Sequence, residues 1–185
     1  QKVKALQSLM YFTAARNNAR VDNENNILLL KQQDRTRWNK TMICKGAQLL
    51  TEASDGISIS KYHLEAAIAA EHAHAANYEQ TNWKNIIGFY DMLYKMQPSP
   101  VIALNRIIAI SELHGPQQAL KQLNDMAQLQ TLKKFYLLYA VLGDLHLHLH
   151  EKEKACTYFK QAIELTQSQA EKKLLQQKIK TTATG

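Results

Sequence analysis

Residues 139–165 read YAVLGDLHLHLHEKEKACTYFKQAIEL, and their spacing decides the fold class. Tyr139 is followed at three-residue steps by Leu142, next to Gly143, and then, after Gly143, by His146; beyond the charged stretch from Glu151 to Lys154, Ala155 is followed by Phe159, Ala162 and the apolar Ile163 and Leu165. Steps of three and four residues place such side chains on one face of a helix. Two faces of this kind, separated by a short polar break, predict an antiparallel helix pair. The small Gly143 and Ala155 sit where the two helices cross, and Tyr139, Leu142 and Phe159 fill the groove toward the next pair. Working outward, Leu104-x-x-Ile107 through Gly115 and Ala119-x-x-x-Leu123 repeat the scheme with a shorter turn, and Trp83-x-x-Ile86-x-x-x-Tyr90 is a weaker echo.

This is the tetratricopeptide (TPR) pattern in one clear and one or two degenerate copies. The rest of the chain carries the same helical periodicity between recognisable stops. Val3, Leu6, Leu9, Met10 and Thr13 predict the inward face of a first helix, which the Asp22–Asn26 cluster ends. A second helix is expected from about Asp34, whose carboxylate suits an N-cap, with Trp38, Met42, Ile43, Leu49 and Leu50 inward, closing at Ser54-Asp55-Gly56. Helices follow over 62–77 and 82–96. Ser99 and Pro100 then supply an N-cap and a first helical residue whose missing N–H is harmless, and Gly115-Pro116 does the same for the next boundary. Helices over 117–129, 132–149 and 151–166 complete the repeats, and Ser168-x-x-Glu171 is a capping box opening a last helix through Ile179. The expected architecture is all-α: eight or nine helices and no strand, with antiparallel pairs over 58–185 forming a short right-handed TPR-like array. Residues 1–57 form an N-terminal helical cap packed with the array as one unit.

Composition agrees. The chain has 185 residues, of which 45% are hydrophobic and 21% charged, with six Gly and three Pro, too few punctuators for the many turns of an all-β sandwich. No apolar run approaches the roughly 20 residues that cross a bilayer, so a cytoplasmic protein without membrane contact is expected. Cys44 and Cys156 lie far apart, encoding neither a disulfide framework nor a zinc finger. The chain begins at Gln1 and ends in Thr-Ala-Thr-Gly, which suggests a piece of something longer. The net charge of +7 is uneven: residues 1–50 hold 9 Lys/Arg against 3 Asp/Glu, residues 51–130 hold 5 against 8, and residues 131–185 hold 9 against 5. Basic ends of this kind suit an acidic protein surface or nucleic acid, or form a solvated helix surface.

Several segments together carry a resemblance. Leu9-Met10, Ala15-Arg16, Ala19-Arg20, Leu29-Leu30, Gln33-Asp34-Arg35-x-Arg37-Trp38 and Ile43-x-x-Gly46-x-x-Leu49-Leu50 come first. Tyr62-x-Leu64-x-Ala66-Ala67-Ile68, Thr81-Asn82-Trp83, Tyr90-Asp91, Pro98-Ser99-Pro100-Val101-x-x-Leu104-Asn105-Arg106 and Gly115-Pro116 follow, before the TPR unit. In this order they resemble the C-terminal extension of a subgroup of extracytoplasmic-function RNA polymerase sigma factors. The departures are Asn82 for a usual Asp, Asn25-Asn26 for a usual turn Gly, and the His-rich 146–150 stretch. The resemblance implies a regulatory or protein-interaction region in transcription initiation. Its implied partners are its own sigma domains, RNA polymerase core or a regulatory protein, and DNA contact is left to DNA-binding domains outside these residues. Two other readings stand beside it: a basic helical module touching promoter DNA through the first 50 residues, and an unrelated TPR adaptor for a peptide.

Candidate contact residues are Asp34, Arg35, Arg37 and Trp38, the densest polar and aromatic group, together with Asn105 and Arg106. Arg and Trp anchor interfaces, so the first group reads as a docking surface; equally, Asp34 caps a helix, an Arg pairs with a carboxylate and Trp38 is core. Asn105, a poor residue for a helix interior, is expected to hydrogen-bond a neighbouring helix or a bound segment. No catalytic centre, metal site or cofactor is expected. His72 and His74, two apart on a helix, diverge, and His146 and His150 lack a third ligand, so the 146–150 histidines are expected to face solvent near a helix end. No nucleophile elbow or phosphate-cradling Gly-rich loop is present.

Overall fold

A computed structural model describes residues 1–56, 58–126 and 129–184. Among them, nine helices of nine or more residues form: α1 (Lys2–Ala15), α2 (Lys40–Ser54), α3 (Lys61–His74), α4 (Trp83–Met96), α5 (Pro100–His114), α6 (Pro116–Asn124), α8 (Tyr136–His148), α9 (Lys152–Leu165) and α10 (Gln169–Thr184). A single turn, α7 (Leu129–Leu132), and three 3-10 turns complete the helical structure. No strand forms among the described residues; one antiparallel bridge pairs Val21 with Ile27. None of these helices is long and apolar enough to cross a membrane.

The fold is all-helical and built from packed helix pairs, as a helical repeat array requires. It divides into two compact units, Gln1–Pro98 and Ser99–Gly185. The sequence placed a boundary at 57/58, but α3 packs back on α1 and α2, and α4 packs on α3, which carries the first unit to Pro98. Ile57 at the expected boundary, Ala127 and Gln128 in the expected 117–129 helix, and Gly185 lie outside the described residues.

In the first unit, α1 buries the face opposite to the expected one. Ala5, Ser8, Phe12 and Ala15, with Ala19 beyond the helix end, form the seam against α2 and α3, whereas Val3 is 69% and Met10 61% exposed. The reason is closeness. Small side chains let the helix axes approach until backbone meets side chain: the Ser8 hydroxyl donates to the Gly46 carbonyl of α2 at 2.7 Å, and a Cβ on Gly46 would lie 3.2 Å from the Phe12 ring. The second helix also starts later than expected. Asp34 caps a 3-10 turn (Arg35–Arg37) by accepting the Thr36 N–H, and Asn39 is the N-cap of α2, accepting the Met42 N–H. Between α1 and this turn, Asn25 takes a left-handed φ of 61°, a conformation Asn tolerates where a turn would otherwise use Gly. At the join of α2 and α3, the buried His63 accepts the Ser60 N–H at Nδ1, which puts its proton on Nε2, directed to the Ala53 carbonyl at 3.2 Å. Asn82 caps α4 by accepting the Asn85 N–H at 3.1 Å, so the departure from Asp at this position keeps the capping chemistry.

In the second unit, α5 begins at Pro100 as expected, and Gly115 turns the chain into α6 at a φ of 86°, which favours glycine. The pair α8–α9 follows the TPR expectation closely: Phe159 and Ala155 are fully buried, and a Cβ on Gly143 would run into the Phe159 ring. Ala162 and Leu175 complete this core, with Tyr139, Leu147 and Ile179 packed against it. The last helix opens at the expected place, since Ser168 accepts the Glu171 N–H at 3.3 Å. The reciprocal half of the capping box is absent because the Glu171 carboxylate is engaged elsewhere: it accepts the Tyr136 hydroxyl of α8 at 2.5 Å and the Thr166 hydroxyl. Burial, followed by this carboxylate, pushes the Tyr136 phenol up to about 12. Lys178 clamps α10 to Asp144 of α8 at 2.5 Å.

Candidate functional site

The four sequence candidates of the first unit occupy the connection between α1 and α2, and the structure gives each a separate task. Trp38 is core, 3% exposed. Asp34 is exposed and accepts both the hydroxyl (2.6 Å) and the N–H (2.9 Å) of Thr36, which hold its carboxyl below the usual range. Arg37 is exposed beside it. Arg35 turns inward, where its guanidinium donates to the carbonyls of His72 (2.5 Å) and Ala75 (2.7 Å) and to the Thr81 hydroxyl (3.3 Å). The expected carboxylate partner is therefore replaced by the open carbonyls at the end of α3, which an Arg satisfies while complementing the negative end of the helix dipole.

Around Trp38 the structure gathers residues that the sequence did not single out as a group. The guanidiniums of Arg16 and Arg35 both lie 5.1 Å from the centre of the Trp38 ring. Arg16 also donates to the Gln33 side chain at 3.2 Å. Burial, with Arg20 and Arg35 adding repulsion, lowers Arg16 to about 10. His72 packs edge-on against Trp83 at 5.3 Å, and Tyr78 meets the same indole at 5.0 Å. Burial first, then Arg16 and Arg35, bring His72 down to about 4, so it is neutral at ordinary pH. Two buried polar atoms of this cluster, Trp38 Nε1 and His72 Nδ1, have no hydrogen-bond partner among the described residues. The sequence singled out Arg35 and Trp38 of this cluster; bringing His72, Tyr78 and Trp83 to them depends on α3 folding back.

Beside the cluster a groove of about 430 Å³ runs between the start of α2 and the end of α3. Arg35, Thr36, Trp38 and Lys40 line one side, Ile43 and Cys44 continue along α2, and residues 73–76 form the opposite wall. No carboxylate lines it. Cys44 is a free, exposed thiol.

Asn105 and Arg106 lie in the other unit, on α5, and are not brought to this groove by any packing within either unit. Arg106 donates to Gln122 of α6 at 2.8 Å, tying one helix pair together. Asn105 is half-buried and makes no side-chain hydrogen bond among the described residues, so the expected bond to a neighbouring helix does not form there. The histidines at the end of α8 are also corrected. His148 and His150 are exposed, but His146 is largely covered, stacked on Tyr158 at 5.1 Å and hydrogen-bonded to Glu151. Its neighbour across the α8–α9 turn supplies both ring and carboxylate, which the His-rich run did not reveal. Among the described residues no three His, Cys, Asp or Glu side chains gather as metal ligands.

Comparison with known proteins places these features in a wider setting. No solved structure matches the chain. Residues 1–54, which carry α1, the Asp34–Trp38 turn and α2, match the family described as a family of unknown function (DUF6596). Over 170 residues, 92% of the chain, the sequence is 33% identical to "Uncharacterized protein R00370" of Rhizobium meliloti (strain 1021), and the chain spans about 40% of the length of that curated relative.

Proposed function

We propose that this chain is the regulatory, protein-interacting C-terminal region of an extracytoplasmic-function sigma factor, acting in transcription initiation on its own sigma domains, on polymerase core or through a regulatory protein. The observation that carries the reading is the ordered series of motifs from Leu9-Met10 to the TPR unit, many of whose residues, Trp38, Gly46, Asn82, Leu104, Gly143 and Phe159 among them, fall on caps, crossings and cores of an all-helical scaffold made of helix pairs. Helix pairs of this kind present protein-binding surfaces rather than reaction centres. A relative considerably longer than this chain is compatible with further domains.

The alternative of a promoter-contacting basic module has lost part of its basis, because cations of the first 50 residues are used internally. Arg16 and Arg35 are committed to the Trp38 cluster, and Lys4 pairs with Glu52 at 2.8 Å. The test is the reading frame that encodes the chain. A sigma-type helix-turn-helix is expected upstream of Gln1, and deleting residues 1–185 from that protein is expected to change promoter-specific transcription in a reconstituted polymerase assay. A frame without such a motif, or unchanged transcription, refutes the proposal.

A further inference from the structure

The first unit concentrates positive charge around one buried indole, and its guanidiniums are held by carbonyl, amide, hydroxyl and ring partners rather than by a carboxylate. Neither Arg16 nor Arg35 forms an ion pair with a carboxylate among the described residues; Glu79 acts on Arg35 only through space, and Asp34 is turned to Thr36. Buried charge is costly unless matched, so the field of these guanidiniums is open to an anion that comes from outside. The adjoining groove is where such an anion can approach Arg35. Arg35 forms part of its wall, Lys40 stands on its rim as the first residue of α2, and the positive end of that helix faces the same region. Trp38 lines the groove and carries a buried N–H with no acceptor among the described residues. Of the remaining lining, Ile43, Ala73, Ala75 and Ala76 are apolar, and Thr36, Cys44 and the exposed His74 are polar or titratable.

We infer that this groove binds an acidic peptide segment of a protein partner, one in which carboxylates alternate with apolar side chains. Carboxylates meet Lys40 and Arg35, while the apolar side chains rest on Ile43 and the alanine wall. Charge complementarity favours this occupant over a basic or neutral one. The inference is independent of the sigma-factor reading, since any protein bearing such a segment satisfies it and the assay needs no polymerase.

The probe is a fluorescein-labelled peptide of alternating Glu and Leu, titrated by fluorescence anisotropy against the 185-residue chain. Saturable binding is expected, weakening with added salt and by at least about ten-fold in Lys40→Glu. That substitution places an acid in the first turn of α2, where it favours the helix, so lost binding is not lost folding. Lys45→Glu, on α2 but outside the groove and engaged with Gln48, is expected to bind as the parent does. As a second readout, the peptide is expected to slow alkylation of Cys44 relative to the partly buried Cys156. The inference is overturned by absence of saturation, by equal affinity for a Lys-Leu peptide, by an unaffected Lys40→Glu, by unprotected Cys44, or by displacement of the peptide by duplex DNA at lower concentration, which would give the groove to phosphate instead.

Discussion

The crossing of α1 with α2 and that of α8 with α9 use one device: a phenylalanine ring laid on a glycine of the partner helix. Phe12 covers Gly46 in the first unit and Phe159 covers Gly143 in the second. They differ in tightness and in what surrounds them. At Gly143 no space is left for a methyl group, and the neighbours are the apolar Ala155, Ala162 and Leu175. At Gly46 a methyl group is only slightly crowded, and the neighbours include a buried serine hydroxyl and, farther along, a cationic cluster. The comparison teaches that one packing solution serves both a purely apolar core and a unit that keeps buried polar and cationic groups beside it.

The largest effect expected is from removing either ring. Phe159→Ala and Phe12→Ala should each lower stability by about 3–5 kcal/mol, measured by chemical denaturation. A much smaller loss at Phe12 would break the equivalence of the two crossings. Next, Gly143→Ala should destabilise by about 1–3 kcal/mol, because the ring beneath it is held in a full core and cannot retreat. Comparable in size is a pH effect confined to the first unit. The unfolded chain protonates His72 near its ordinary 6.5, whereas the folded chain resists until about 4, so stability should fall as pH drops from 6.5 to 4 and level off below. The total is on the order of 1–3 kcal/mol. Denaturation midpoints of the parent and His72→Gln, compared between pH 7 and 4, check this: the slope should flatten in the variant.

Gly46→Ala should lie within about 1 kcal/mol of neutral, since mild crowding against Phe12 offsets the gain in helix propensity. Smallest, and of opposite sign, is Gly88→Ala in the middle of α4, where nothing lies within 4 Å of the added methyl group; a gain of up to about 1 kcal/mol is expected. Thermal melts of the three Gly→Ala variants should rank 143 below 46 below 88. Any other order means that backbone propensity, not ring contact, governs these sites.

The second unit was more readable from sequence than the first, and the reason is physical. Tyr139, Gly143, Ala155 and Phe159 obey a repeat whose spacing encodes its own packing, and Pro100, Pro116 and Ser168 mark helix starts through local backbone chemistry. In α1 the large apolar residues Val3 and Met10 pointed to the wrong face, because the seam that counts combines one large ring, Phe12, with alanines and a serine whose small size lets the helices approach closely. Asp34 was rightly seen as a cap, but of a 3-10 turn; distinguishing that from an α-helix start required knowing that Asn39 caps five residues later. Arg35 was read as needing a carboxylate. Its carbonyl partners lie 37 and 40 residues away, and only the return of α3 brings them near. For the same reason the groove had Trp38 and Arg35 as its only legible members, and His72 and Trp83 entered the cluster unannounced.

Both tryptophans of the chain, Trp38 and Trp83, lie in the first unit and are buried there, while the second unit has none. Intrinsic indole emission therefore watches one half of the molecule, whereas the far-ultraviolet helical signal watches both. Coincident unfolding curves from the two probes would mean that the halves melt as one cooperative system, and separated curves would assign the earlier or later step to a specific unit without any label being attached.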